Sequence, residues 1–258
     1  DEVLTLGTLN AKTTTVTASS FTGLLSVTGS ASATTMSVKQ GNANNTIVLG
    51  GANDTLTLTK LGNDDADGGA GTGDTLNATI ATGTQTEATT NFEIINYTIG
   101  NNVQTVVSEG NGAGIDGAVT FSLLGGDALT TYSHTLHSPA NLTTYNMAGY
   151  TGKSTDVNIL VGGNSLTDLT ITGSAGADTV HYEAANGTLA LKGMTGVETL
   201  EIDAVGGNVV YDFSTTTTGV TTVKTDDDGT ARDVTLTDLT TGAAVEIETG
   251  VADSGVII

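Results

Sequence analysis

The stretch GNANNTIVLGGANDTLTL, residues 41 to 58, decides how this chain is read. Cut after Leu49, it becomes two nine-residue lines, GNANNTIVL and GGANDTLTL. They share Gly, Ala, Asn, Thr and a closing Leu, and differ at the fifth place by Asn45 against Asp54. Val38, Ile47 and Leu56 stand nine apart, so each can point inward at the same place in successive short strands, with a Gly and Asn turn between them. Glycine allows the positive φ such a turn demands, and Asn tolerates it better than most residues. The line describes one side of a coil.

Working outward, longer phrases also recur. LTITGSAGADTV (169–180) aligns without gaps on LSVTGSASATTM (25–36); the later copy carries Gly176 and Asp178 where the earlier has Ser32 and Thr34. TNFEIINY (90–97) and TGVETLEI (195–202) form a third pair. Glu93 follows Asp74 by 19 residues and Glu198 follows Asp178 by 20. The larger unit is a Gly-rich turn with Asp-Thr-apolar, then a strand opened by apolar-Glu, and internal duplication accounts for it. Beyond residue 155, strand candidates such as VNILV, DTVHYEA, VETLEI and NVVYDF come at a spacing of about ten to twelve residues. VTLTDL and VEIETG alternate strictly, which implies one dry and one wet face.

Composition sets the class. Among 258 residues there are 35 glycines, one proline, no tryptophan, and 4% aromatics. Thr, Val, Ile and Leu take the places helix formers would occupy. The expected fold is all-β: a calcium-stiffened β-solenoid or β-roll with additional, sandwich-like β-sheet segments. One continuous solenoid and two separate β pieces are both compatible with the spacing. Twenty-eight acidic against seven basic residues give a net charge of −21, which argues against nucleic acid and favours cations. With no cysteine, disulfides cannot stiffen the chain, and bound metal is the substitute. No apolar run is long enough to span a membrane. The chain opens at Asp1 within a strand-like pattern, as a processed product or a fragment would.

Residues 120–150 differ in texture, gathering Phe121, Tyr132, His134, His137, Pro139, Tyr145, Met147 and Tyr150. The expected organisation is an N-terminal β-repeat region (1–118), an irregular junction or insertion (119–155) and a C-terminal β-repeat region (156–258). Tyr132, Tyr145 and Tyr150 are the candidates for an assembly contact; a plug over the end of a core is the other reading of the same segment.

The acids supply the chemistry. Ca²⁺ takes six to eight oxygens, and a tight glycine turn leaves backbone carbonyls aimed outward for a carboxylate to complete the shell. One turn is not enough, so a site needs a second turn stacked beside it, and metal binding becomes folding energy. The candidate ligands are Asp54, Asp74 and Asp178, with Asp64, Asp65 and Asp67 of the run NDDADGG. Asn45, Asn53, Gly71, Gly173 and Gly176 are the supporting turn residues. The competing explanation is that Asp and Asn fill turns because their side chains bond nearby backbone. Three histidines, an HTLH without the HExxH pattern, and no GxSxG or P-loop leave a non-catalytic reading.

GSAGADTV, GGANDTL and GGAGTGDTL resemble the GGxGxDxUx nonapeptides of RTX proteins, whose parallel β-rolls bind calcium between turns. With DTLNATI, NFEIINYTI and GVETLEI, the chain resembles bacterial surface-layer proteins of the RTX-containing, secreted kind. The resemblance implies Ca²⁺ as cofactor, folding at the extracellular cell surface, and self-assembly into a lattice as a structural component. Its partners would be other copies of itself and a cell-surface polysaccharide. A calcium-dependent secreted adhesin and a polysaccharide-active β-helix enzyme are the alternatives.

Overall fold

The computed structural model describes residues 3–10, 12–13, 15–18, 24–29, 37–40, 45–58, 65–80, 83–100, 104–109, 119–137, 141–160, 168–184, 187–189, 193–204, 207–213, 217–226, 233–239, 242–247 and 256–257. They contain strands and no helix. The first eight strands are β1 (Val3–Thr8), β2 (Thr15–Ala18), β3 (Leu24–Thr28), β4 (Ser37–Gln40), β5 (Thr46–Val48), β6 (Thr55–Leu58), β7 (Asp65–Asp67) and β8 (Thr75–Ile80). There follow β9 (Gly83–Thr90), β10 (Ile94–Ile99), β11 (Gln104–Glu109), β12 (Thr120–Gly125), β13 (Thr131–His137), β14 (Thr144–Tyr150), β15 (Ser154–Leu160), β16 (Thr170–Thr172) and β17 (Ala177–Ala184). The last nine are β18 (Gly187–Leu189), β19 (Gly193–Thr195), β20 (Thr199–Ala204), β21 (Val209–Asp212), β22 (Thr217–Thr218), β23 (Thr222–Asp226), β24 (Val234–Thr237), β25 (Ala244–Ile247) and β26 (Val256–Ile257).

Successive strands alternate between two long parallel sheets. Sheet I has twelve strands in the order β1-β3-β5-β7-β9-β11-β13-β15-β17-β20-β23-β25, and sheet II has ten, β2-β4-β6-β8-β10-β12-β14-β16-β19-β22. Each coil therefore crosses from one sheet to the other and lands beside its own previous pass: the chain is a parallel β-solenoid. From β18 onward each coil gains a further face, sheet III, β18-β21-β24-β26. The additional β-sheet expected from the sequence is thus a third wall of the same coils, and no antiparallel pair occurs among the described residues. Within β9, residues 83–87 pair with β11 and residues 88–90 with β7, so this strand carries sheet I around a corner.

The nine-residue spacing is half a coil. Leu56 pairs with Val38 in sheet II, whereas Ile47, midway between them, lies in sheet I. Inward positions form columns along the stack. One runs Leu56, Leu76, Ile95, Phe121, Tyr145, Ile171 and Met194, each fully buried and each the register partner of the next. Burying one such side chain contributes roughly 1.5–3 kcal/mol, and alternation with period two delivers every second residue to the column.

Within the segment expected as an irregular junction, the described residues 119–137 and 141–155 carry β12 to β14 and the start of β15, each strand paired in parallel on both sides. The coils there are longer, with Ile94 opposite Thr120 and Thr120 opposite Thr144, so the repeat spacing breaks in the sequence while the ladder continues. The aromatics of this segment fill the core. Phe121 stacks on Tyr145 with ring centroids 4.6 Å apart and meets Tyr97 edge-on at 5.1 Å.

Candidate functional site

The turns that lead into β6, β8 and β10 place Asp54, Asp74 and Glu93 directly above one another, each one residue before its strand or the ladder that opens it. Strand pairing restarts at the following residues, with the Thr75 N–H on the Asp54 carbonyl and the Ile94 N–H on the Asp74 carbonyl. The N–H groups of Asp54 and Asp74 fall outside the ladder and each takes a carboxylate from the next coil instead, while the Glu93 N–H donates to the Asp74 carbonyl at 3.1 Å. Asp54 N–H donates to Asp74 Oδ1 at 2.6 Å, and Asp74 N–H to Glu93 Oε2 at 2.7 Å. Within its own turn, Asp54 Oδ2 accepts the Gly50 N–H at 2.9 Å. These side chains close backbone donors that would otherwise be buried without a partner.

Asn45 does the same work on sheet I: its Oδ1 accepts the Leu25 N–H one coil earlier, at 2.9 Å. Asn45 and Asp54 are both buried. The two lines of the opening stretch thus build one cap twice, on opposite walls, and only the copy on sheet II brings a charge.

That charge accumulates. Asp74 is fully buried, and its Oδ2 has no hydrogen-bond partner. Burial pushes the Asp74 carboxyl above its ordinary range; the Asp54 N–H draws it back, the neighbouring charges of Glu93 and Asp54 push it up again, and the Gly71 N–H draws it back slightly. Glycine makes the approach feasible. A Cβ on Gly71 would run into the Asp74 carboxylate and the Ala52 carbonyl oxygen.

Asp178, at the equivalent turn on sheet I, is differently surrounded. Its Oδ2 accepts the Ser174 N–H at 2.6 Å, and its Oδ1 accepts the hydroxyls of Thr155 at 2.6 Å and Ser174 at 2.8 Å. Its own N–H donates to Glu198 Oε2 at 2.8 Å. The spacing of 19 and 20 residues from Asp to Glu is therefore one coil, and the Glu caps the Asp. Cβ atoms at Gly173 and Gly176 would collide with the carbonyls of Gly196 and of Gly152 and Lys153, which is why both turns need glycine.

The remaining candidates separate. Asp64 lies outside the described residues. Asp65 is exposed on β7, and Asp67 Oδ1 accepts the Gly69 N–H and the Asn91 Nδ2–H. Asn53, exposed, accepts the Thr72 N–H at 3.2 Å. Among the described residues no three His, Asp or Glu side chains converge as a ready-made metal group. Oxygens for a cation at Asp74 would come from stacked carboxylates and backbone carbonyls, a hard donor set suited to Ca²⁺. Asp74 keeps one carboxylate oxygen without a hydrogen-bond donor that such an ion could meet, whereas both oxygens of Asp178 already accept hydrogen bonds.

Tyr132, Tyr145 and Tyr150 are not a contact surface. All three are buried; Tyr145 Oη lies 2.8 Å from His134 Nδ1, and Tyr150 Oη donates to the Thr130 carbonyl at 2.9 Å. The hydroxyls of Tyr145 and Tyr150 thus find partners inside the coil, which lets those aromatic bodies stay there. Glu93, Glu198, Thr155 and Ser174 are the site residues the sequence reading did not select. The constant Asp-to-Glu spacing was the available signal for the two glutamates; nothing local marked Thr155.

Comparison of the chain with protein-family models, with characterised proteins and with solved structures returned no match.

Proposed function

We propose that this chain is a non-catalytic structural module of a bacterial surface layer, a β-solenoid that Ca²⁺ stiffens at the extracellular face of the cell and that then self-assembles. The observation that carries the reading is the column Asp54, Asp74 and Glu93. Three acids stand one coil apart, the middle one fully buried with an oxygen lacking a donor. Among the described residues, no Lys, Arg or His is paired with Asp74 or Glu93. Stacked like charges in a poorly solvated site cost stability until a cation or a proton compensates them. Asp54, Asp74 and Glu93 with the Ala52 carbonyl are the residues that would hold the ion. Its charge would neutralise the column and tie consecutive coils together. The net charge of −21 supports the same dependence, since diffuse repulsion loosens the chain where divalent cations are scarce.

The test is a titration of the purified chain with Ca²⁺, with Mg²⁺ and chelator as controls, followed by circular dichroism and light scattering. A melting temperature and particle size that rise together with Ca²⁺ alone support the reading. A folded monomer indifferent to all three conditions overturns it. Asp54→Ala with unchanged calcium stoichiometry would remove that residue from the site.

A further inference from the structure

The geometry points to the outer face of sheet II as the surface through which two copies of this chain associate. The inference rests on the self-assembly part of the proposed function and gives it a location. From β6 to β16 the positions of sheet II that are half-buried or exposed between the buried ones hold Thr, Asn, Ser, Ile, Leu, Ala and Gly and no charged side chain. Stacked rungs bring these side chains into rows, and Asn96 Nδ2 donates to Asn77 Oδ1 along one of them at 3.0 Å. Over the same coils the outward positions of sheet I carry Asp65 and Asp67 on β7, Asp156 on β15, and His181 and Glu183 on β17; Glu201, Lys224 and Glu246 continue the charged face on the later coils. In a molecule of net charge −21, the outer face of β6 to β16 carries no charged side chain.

Two observations select the second copy as occupant. Like-charged molecules repel wherever their charged faces meet, so a neutral wall is where two of them can approach at least cost. Outside the first strand, every large apolar residue that is strongly exposed among the described residues belongs to β12 or its flanks: Val119, Leu124 and Leu129. Leu124 stands on the neutral wall itself, at 39% exposure. Interfaces between proteins are depleted of charge at their centre and use such apolar side chains as anchors.

The experiment places a charge on the wall and on its opposite number. Ser122→Glu and Ser122→Lys alter the centre of the neutral face by opposite charges; Thr135→Glu adds one on the outer side of β13 in sheet I as a control. Association is followed by light scattering and sedimentation against protein concentration, in Ca²⁺ and in chelator, with circular dichroism to confirm the β-signal. Both Ser122 variants are expected to raise the midpoint concentration by about tenfold or more, and Thr135→Glu to leave it within about twofold. The lysine variant matters because it lowers the net negative charge, so loss of association cannot be general repulsion. Should either Ser122 variant lose its β-signal, Thr144→Glu makes the same measurement one rung away.

Association unchanged in the Ser122 variants, or equally weakened by Thr135→Glu, overturns the inference while leaving calcium-dependent assembly standing. A wild-type chain that stays monomeric throughout, or is captured only by an added neutral polysaccharide, overturns it together with the self-assembly reading. Association in chelator that the Ser122 variants still abolish keeps the neutral wall and removes calcium from its control.

Discussion

The turns at Asp74 and Asp178 are built from the same phrase, a glycine turn, an Asp, and a Glu one coil on, yet they end in opposite electrostatic states. Asp178 sits beside Thr155, and its carboxylate is saturated by two hydroxyls and a backbone N–H. Asp74 sits between Asp54 and Glu93 and keeps a buried oxygen without a donor. Whether an Asp in this fold is a cap or a candidate cation ligand depends on the coil beside it, not on its own turn.

The contrast can be broken by mutation. Asp178→Ala should give the largest effect, because it strands the Ser174 N–H and leaves the Thr155 and Ser174 hydroxyls unpaired in a buried turn. We expect a loss of about 3 kcal/mol in denaturant unfolding, in Ca²⁺ and in chelator alike. Asn45→Ala removes one neutral cap from the Leu25 N–H and should cost about 1–2 kcal/mol, also independent of calcium.

Asp74→Asn sharpens the comparison through its sign. In chelator at neutral pH it removes a buried like charge and should stabilise the fold by about 1 kcal/mol, whereas in Ca²⁺ it should abolish the stabilisation the ion provides. The pH dependence follows. The folded-state Asp74 carboxyl titrates above its ordinary 3.8, so the folded chain holds that proton more tightly than the unfolded one. The stability this contributes is full below the ordinary value and is lost as pH rises through the folded value. A calcium-free melting series across that acid range should show this decline in wild type and lose it in Asp74→Asn.

His181 offers the smallest effect and a different window. It stands on the outer face of β17 between Asp156 of β15 (3.3 Å) and Glu201 of β20 (3.2 Å), a face position as its alternation implies. The hydrogen bond to Asp156 raises its pKa above 6.5, burial opposes, and the charges of Glu201 and Asp156 add to the rise. Its stabilisation is therefore complete below pH 6.5 and is lost as pH rises through the folded value. His181→Gln should flatten the melting temperature across that interval, by the equivalent of under about 1 kcal/mol for so exposed a group.

Much of this was legible beforehand. The nine-residue lines gave a coil, the alternation of VTLTDL gave an inward face, and the Asp-to-Glu spacing proved to be the length of one coil. The segment around Tyr132 misled because its coils are longer and a histidine occupies an inward place. In TYSHTLH the buried row is Tyr132, His134 and Leu136, and His134 is hydrogen-bonded there to Tyr145. After Asn146 the register shifts, so that Leu124 faces Gly149, and Tyr150 falls out of step with Tyr145 and Met147 while still pointing inward.

By itself the sequence determined what is local: strands from period two, turns from glycine, coil length from recurrence, and a charge that demands cations or solvent. Tertiary structure decided which side chains become neighbours across coils, and hence that Asp178 is saturated, Asp74 is not, the tyrosines are core and the outer face of β6 to β16 carries no charge. The reason is physical. A strand's inward and outward faces are fixed by its own few residues, but each stacking partner lies a whole coil away, and loops of varying length set which partner that is.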